Sequence, residues 1–563
     1  MDAELRKHCQ TRKAAMVAER DLFVPDWQQV ADYINPYAGR FLRTRTVGTQ
    51  KLPSRSKIID NAATRALRTM DAGFMGGHTS KSRPWFRLST SDAALNDRQD
   101  VRAWLDDVAQ IIRDVLAKSN FYTALPKFYN SRHMFGVAAM ACVEDTRDVV
   151  RFYVRSIGTY AIALDARGMV DSFWYEFERS ARQIKEMFGE QSLPQAVISA
   201  LSTKPDTKFM VQALIEPNPD AKPGIQGARH RPFRIVYWMD GQDNENRGCL
   251  EMGGDYENPM LVSRWLVEGM DCYGTSPCLD SLGDIKQLQY LEGRKLKLLD
   301  MSVEPTLALP DSMRNKGATL NPGGLLYVTP SQTQQRVEPV YTPDPRALVA
   351  VQNELQTVGA RIESALYADL FRMLDFLDDR QRTAYEIGVR QEEKVAQLGP
   401  ALESLTDEVL DPVIFRVYSI LLRSNRLPKP PPALDRQPVN VEYTSMLAQA
   451  QKAAGLSTIE RTIGFVGQLA AMTGSPKVWN KIDLNQAIDE FNMGAGGPAR
   501  IVRSDEDVAE IESAQAQQEQ MQQMAALSPA LKDSAEAMTK IAGTKPVRGS
   551  MLENLAGNMA GMV

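Results

Sequence analysis

Three carboxylates close together, Asp375, Asp378 and Asp379, are the side chains in this sequence best suited to chemistry, because clustered carboxylate oxygens are what a hard divalent cation prefers. Arg380 and Arg382 stand beside them and compete as ion-pair partners, so Asp375–Arg382 reads as an exposed charged loop rather than a metal site. Gly274-Thr-Ser-Pro277 offers a serine among small residues, but a nucleophilic serine needs a positioned histidine, and the chain of 563 residues has only 4. The 5 cysteines, at 9, 142, 249, 272 and 278, form no CxxC pair, and the gap between Cys272 and Cys278 suits no common metal spacing. Reduced thiols are expected. No G-x-x-x-x-G-K-[ST], G-x-S-x-G or H-E-x-x-H pattern occurs, so the energy for any mechanical work must come from a partner. The reading is of a chain with no catalytic residue, no metal and no cofactor.

The elements that position the charged loop are helical. Leu348, Val351, Leu355, Val358, Ile362, Leu366 and Leu370 recur every three or four residues, which predicts one helix with a single apolar stripe. After the loop, Thr383-Ala-Tyr-Glu386 has capping-box spacing. Val395, Leu398, Leu402, Leu405 and Val409 then continue the rhythm through Gly399-Pro400, where proline predicts a kink. Upstream, Leu5–Ile34, Ile58–Phe74 and Asp97–Ser119 read as helices. Val150–Arg155, Tyr160–Leu164, Val170–Phe177 and Phe233–Trp238 read as strands. Leu279–Met301 is a second long helix, and Ser302–Pro343, with its prolines and Gly323-Gly324, is expected to be a small β/turn insertion. Ser504-Asp-Glu-Asp507 opens a final helix with a Gln/Met-rich face. The expected class is α+β, mostly helical, in two to four units.

A net charge of −4 excludes a globally basic nucleic-acid binder. It leaves room for a surface past which DNA moves without being gripped, since each phosphate contact adds affinity that movement must break. One run is locally basic: Arg40, Arg43, Arg45, Lys51, Arg55 and Lys57, with no acid among them, suit either nucleic acid, an acidic partner or simply water. No run of about 18 apolar residues could span a bilayer, and Met1-Asp-Ala-Glu-Leu-Arg-Lys7 lacks the apolar stretch of a signal peptide. The expectation is a chain that stays in the cytoplasm.

In order, the segments resemble the portal, or head-to-tail connector, proteins of short-tailed, podovirus-type bacteriophages. The carriers are Gly76-Gly-His-Thr-Ser-Lys-Ser-Arg-Pro-Trp-Phe-Arg-Leu88, Tyr273-Gly-Thr-Ser-Pro277 before a long helix, Thr383-Ala-Tyr-Glu386 with Leu398-Gly-Pro400, and Val441-Glu-Tyr443 with Leu447-Ala-Gln-Ala450. Ile482-Asp-Leu-Asn-Gln-Ala487 and Ile501-Val-Arg-Ser504 complete the set. The resemblance implies a portal-type fold assembled as a ring of twelve at one capsid vertex of the virion, with a channel for double-stranded DNA. In its terms, residues 1–270 are an N-terminal wing, 271–301 the first stem helix and 302–343 the clip. Residues 344–371 are the second stem helix, 372–382 the tunnel loop, 383–500 a kinked helix and the rest of the wing, and 501–563 the crown helix and C-terminal tail. It implies DNA-facing positions at Asp378, Asp379, Arg380 and Arg382, and a ring interface along Leu348, Val351, Leu355, Val358 and Ile362. The implied partners are further copies, the large terminase ATPase, scaffolding and major capsid proteins, tail adaptors and, without sequence preference, double-stranded DNA; no membrane is implied. Two other classes compete: a helical scaffold or internal virion protein without a channel, and a hydrolase with an acidic metal site at Asp375–Asp379.

Overall fold

A computed structural model describes residues 3–43, 53–96, 98–190, 193–240, 249–303, 344–375, 397–434 and 438–444, with short pieces at 307–308, 338–339 and between 462 and 513. Met1–Gly455 forms one compact unit; Leu456–Val563 forms another, described chiefly over helical residues 462–469.

The expected first helix is two, α1 (Ala3–Asp21) and α2 (Val24–Ile34). Pro25 sits in the first turn of α2, and its ring would clash with the carbonyl of Asp21, where α1 stops. A single turn, α3 (Arg40–Arg43), precedes α4 (Ala62–Gly77), strand β1 (Phe86–Thr90), the short α5 (Ala93–Asn96) and α6 (Gln99–Lys118). Next comes α7 (Phe121–Phe135), which periodicity does not reveal: it is buried on most sides and carries Pro126. Gly136, at φ 75°, ends it in the left-handed conformation open to glycine.

Two antiparallel sheets follow. β2 (Val137–Asp145), β3 (Val149–Arg155) and the later β9 (Met260–Arg264) form one, in the order β3-β2-β9. β4 (Tyr160–Leu164), β5 (Val170–Ser180), β6 (Lys208–Pro217), β7 (Phe233–Trp238) and β8 (Glu251–Asp255) form the other in sequential order. Between β5 and β6 lie α8 (Ala181–Phe188), closed by a Ser180/Gln183 capping box, and α9 (Gln195–Thr203).

The three-stranded sheet is apolar on both faces. Ala138, Met140 and Cys142 of β2 enter a core shared with α6, α7 and the helices after residue 397. Val137, Ala139 and Ala141 enter a second core shared with α2, α4 and one face of the five-stranded sheet. The other face of that larger sheet is covered by α1 through Cys9 and Met16, whereas α8 and α9 extend the cover of the second-core face, over Val211, Phe177 and Tyr237.

After a turn of helix, α10 (Pro277–Asp280), the long α11 (Leu282–Val303) leads away. Strands β10 (Leu307–Ala308) and β11 (Glu338–Pro339) pair antiparallel within the segment expected to be a β/turn insertion. The chain returns as α12 (Pro345–Ala365), with Asp344 capping the backbone N–H of Arg346 at 2.8 Å and Pro345 in the first turn. α13 (Ala368–Asp375) follows. Beyond 397 come α14 (397–405), a wider π turn at Thr406–Leu410, α15 (Asp411–Arg423) and strand β12 (Val439–Tyr443).

One expectation changes here. The stripe Leu348–Leu370 is not one helix: Tyr367 adopts φ 53° and breaks it. The break has a packing reason, because Ile362 and Leu366 belong to the second core and Leu370 and Phe371 to the first, so a straight helix could not seat both. The turn that Pro400 would kink reaches back outside the described residues, and within them an irregularity that the spacing did not announce lies at 406–410. Pro412 cannot donate a backbone hydrogen bond and its ring would meet the carbonyl of Glu408, so the turn widens and the Asp411 N–H reaches back to Thr406 O.

Candidate functional site

α11 and α12 form a hairpin. Asp284 pairs with Arg361 at 3.1 Å, and Gln287 bonds both Arg361 and Glu354, each at 3.2 Å, so numbers rise on one helix as they fall on the other. Beneath that polar edge Ile285 and Leu288 belong to the same core as Leu355, Val358 and Ile362. Buried Gln289 fixes the base: its Oε1 accepts from the backbone N–H of Ile59 and Asp60 at 2.6 and 2.8 Å, and its Nε2 donates to Asp60 O.

The stripe expected to form the ring seam has cover within its own chain. Leu355, Val358 and Ile362 are buried inside their own chain, each worth about 1.5–3 kcal/mol of burial. Leu348 and Val351 are half-buried. The stripe needed a partner, and α4 and α11 supply it within the monomer. The apolar surface left over is at the far end of the hairpin, where Leu296, Leu299, Met301 and Val303 on α11 and Val349 on α12 are exposed.

At the break, the Arg372 guanidinium donates twice to Glu363, at 2.9 and 3.0 Å, tying α13 to α12. Phe371 lies against Gly73 of α4, where no side chain larger than hydrogen fits, and its ring tilts on Phe74 with centroids 5.7 Å apart. α13 is thus set firmly just before residues 376–396. Asp378, Asp379, Arg380 and Arg382, and the capping box at Thr383–Glu386, lie outside the described residues.

The other flank of that segment is held by a buried charge centre invisible to periodicity. Glu408, on the π turn, takes Arg264 through Nε at 2.8 Å and Nη2 at 2.6 Å, and accepts the Arg264 backbone N–H at 2.7 Å. Arg132 of α7, fully buried, donates to Ser263 Oγ, to the Arg264 carbonyl, and to Ala401 O and Ser404 Oγ of α14, and its guanidinium lies 4.8 Å from the centre of the Trp265 ring. Burial pushes its pKa down to about 10, against the pull of Glu408. Arg416 of α15 similarly reaches Cys142 O, Asp255 and Glu257. The only sequence signal was the pair Arg132-His133 in a segment rich in aromatic residues.

The singled-out motifs are structural. Tyr273 packs on Trp27 at 5.2 Å and accepts the Ile162 N–H; Ser276 Oγ caps α10 through the Leu279 N–H at 3.1 Å and donates to Met134 O at 3.0 Å. Ser276 is therefore a helix cap and not a nucleophile. Gly274 and Gly136 let two backbones cross closer than side chains permit. Phe86–Leu88 and Val441–Tyr443, distant in sequence, are one ladder in which Phe86 faces Tyr443 and Leu88 faces Val441. All 5 cysteines are free and buried, and burial pushes the thiols of Cys9, Cys142 and Cys272 up to about 12. Among the described residues no group of His, Cys, Asp or Glu could hold a metal, and no helix is long and apolar enough to cross a membrane.

Comparison with known proteins gives this scaffold its class. The family model described as bacteriophage head to tail connecting protein matches residues 6–502. The portal protein of Salmonella phage epsilon15 is 35% identical over 549 residues, covering 97% of each chain. The probable portal protein of Bordetella phage BPP-1 is 34% identical over 562 residues, covering 99% of each. A chain from the virion of a native gene transfer agent particle overlaps 78% of this chain and 90% of its own, at 12% identity and a TM-score of 0.32, too loose a likeness to argue from. The chain belongs to the bacteriophage head-to-tail connecting proteins. Within them its place is that of a portal protein, a structural and non-enzymatic virion component that connects capsid and tail.

Proposed function

We propose that the chain forms a closed ring of twelve at one capsid vertex, through which double-stranded DNA is packaged and later ejected. The observation that carries this reading is the apolar end of the α11–α12 hairpin. A monomer has no use for Leu296, Leu299, Met301, Val303 and Val349 in water, and a head-to-tail contact between copies buries such a surface and closes when the rotation is a whole fraction of a turn. The ring contact then lies on this outer end rather than on the internal stripe. Residues 302–343 form the clip, docking a separate packaging ATPase, since the chain has no P-loop of its own. Scaffolding, capsid and tail adaptor proteins meet the ring elsewhere. The loop at 372–382 faces DNA. Arg380 and Arg382 touch phosphates without reading sequence, and Asp378 and Asp379 limit the grip.

The test is negative-stain electron microscopy of the purified chain. Closed rings with a central hole are expected, and Leu299→Glu with Val349→Glu should abolish them without loss of helical circular dichroism. Monomers from the unaltered chain, or normal rings from the double variant, refute the ring or its proposed seam respectively. Arg380→Ala with Arg382→Ala should leave rings intact and impair packaging.

A further inference from the structure

The basic run noted in the sequence leads to a cleft that portal assembly does not explain. Between α2, the loop before α4, and α4 itself lies a cavity of about 560 Å³ whose lining includes Arg55, Arg65 and Arg68 together with Asn35, Asn61 and Asn130. Its floor is apolar, with Ile34 and Leu67, and its lining contains no carboxylate. That size and mixture suit a bound small group or chain segment.

The three arginines are exposed and make no ion pair among the described residues, while three acids of the same elements have other partners. Asp32 is taken by Arg43 and Lys57, Asp71 by His133 and Asn130, and Asp60 accepts the Ala62 backbone N–H. Arg65 and Arg68 stand one turn apart on the same face of α4. Arg55 is laid over the Tyr37 ring, 4.7 Å from its centre, which orients the guanidinium. Three like charges at one cleft repel unless an anion enters. One carboxylate is matched by a single guanidinium fork and leaves two cations unanswered. A phosphate group, with about −1.5 to −2 charges at neutral pH, or successive phosphodiesters along a strand, answers all three. The first turn of α4 opens on the same cleft and adds its favourable dipole.

We propose that this cleft is a phosphate-binding site, taking either free phosphate-class anions or the backbone of a nucleic acid. All of its lining residues come from one chain. Its test compares the unaltered full chain, Arg55→Gln/Arg65→Gln/Arg68→Gln, and a control with the exposed Arg147, Arg167 and Arg426 changed to Gln, each checked for folding by circular dichroism. The probes are pyrophosphate, read by the shift in thermal midpoint, and a labelled 20-base-pair duplex, read by anisotropy across a salt series with poly-glutamate as competitor. If DNA is the source, the cleft variant binds at least tenfold more weakly at low salt than the control, and the slope of log affinity against log salt falls by about 0.9 for each arginine lost. If free phosphate is the source, pyrophosphate raises the midpoint of the control and not of the cleft variant, with the duplex indifferent. Equal losses in both variants overturn the site. Poly-glutamate displacing the duplex as well as unlabelled duplex does overturns phosphate as its ligand.

Discussion

Changing Glu408 to glutamine isolates the buried charge centre that holds the π turn. The Glu408 and Arg264 side chains are 9% and 7% exposed, so solvent offers little relief. Both oxygens of Glu408 accept, one from the guanidinium and one from the Arg264 backbone N–H. Glutamine keeps one acceptor and turns the other into a donor, so either the guanidinium or that N–H faces another N–H. Arg132, fully buried nearby, also loses its opposing charge. Removing one partner of a buried pair costs about 3–5 kcal/mol, and the orphaned donor, about 1–3 kcal/mol on its own, is largely contained in that figure. The expected loss is therefore about 3–4 kcal/mol. Replacing both partners, Arg264→Met with Glu408→Leu, should recover at least half of it, because no uncompensated charge remains at position 264. Urea unfolding at pH 7, followed by tryptophan fluorescence with constant m-values, measures both; Trp265 beside Arg132 reports locally. A loss under about 1 kcal/mol for Glu408→Gln, or strictly additive single changes in the double variant, refutes the reasoning.

Other expectations follow from the same structure. His78 is buried, and desolvation with the charge of Arg132 pushes its pKa down from 6.5 to about 4. The unfolded chain then binds a proton that the folded chain refuses, so stability falls as pH drops from 6.5 towards 4, by up to about 3 kcal/mol. His133 is shifted in the same direction and adds to the fall. His78→Gln should flatten the pH dependence of the thermal midpoint, and an unchanged slope would count against it. Gly73→Ala places a methyl in the Phe371 ring, and the overpacking cost of about 1–3 kcal/mol exceeds or cancels the helix-propensity gain of about 1 kcal/mol; faster hydrogen exchange in α13 is the readout. Ser276→Ala removes a cap and a bond to Met134 O, and should cost about 1–2 kcal/mol in denaturant titration. A serine-directed phosphonate should label neither form.

Where a segment buries one face, its periodicity was enough to find it: α6, α11 and the alternating strand β7 stand close to their expected limits. α7 and β2 escaped because both are surrounded. A helix buried on most sides has no polar stripe, and Val137–Cys142 does not alternate because both faces of its sheet are covered. The individual motifs were legible as short strings, yet their roles were not. Nothing local says that Phe86–Leu88 pairs with Val441–Tyr443, or that Ser276 reaches Met134 O.

The sequence by itself determined the class of the chain, its α+β composition, its lack of recognisable catalytic or metal-binding motifs and the position of its two long helices. Those properties are carried by residue type and spacing along the chain. Only the tertiary structure decided which partner each face found. The Leu355–Ile362 stripe is spent inside the monomer, Tyr367 breaks a helix whose two ends serve different cores, and Arg132, Arg264 and Glu408 meet from three distant segments. A helix specifies that it has an apolar face, but burial and charge pairing are satisfied by whatever the fold brings alongside, and that is not written in its own residues.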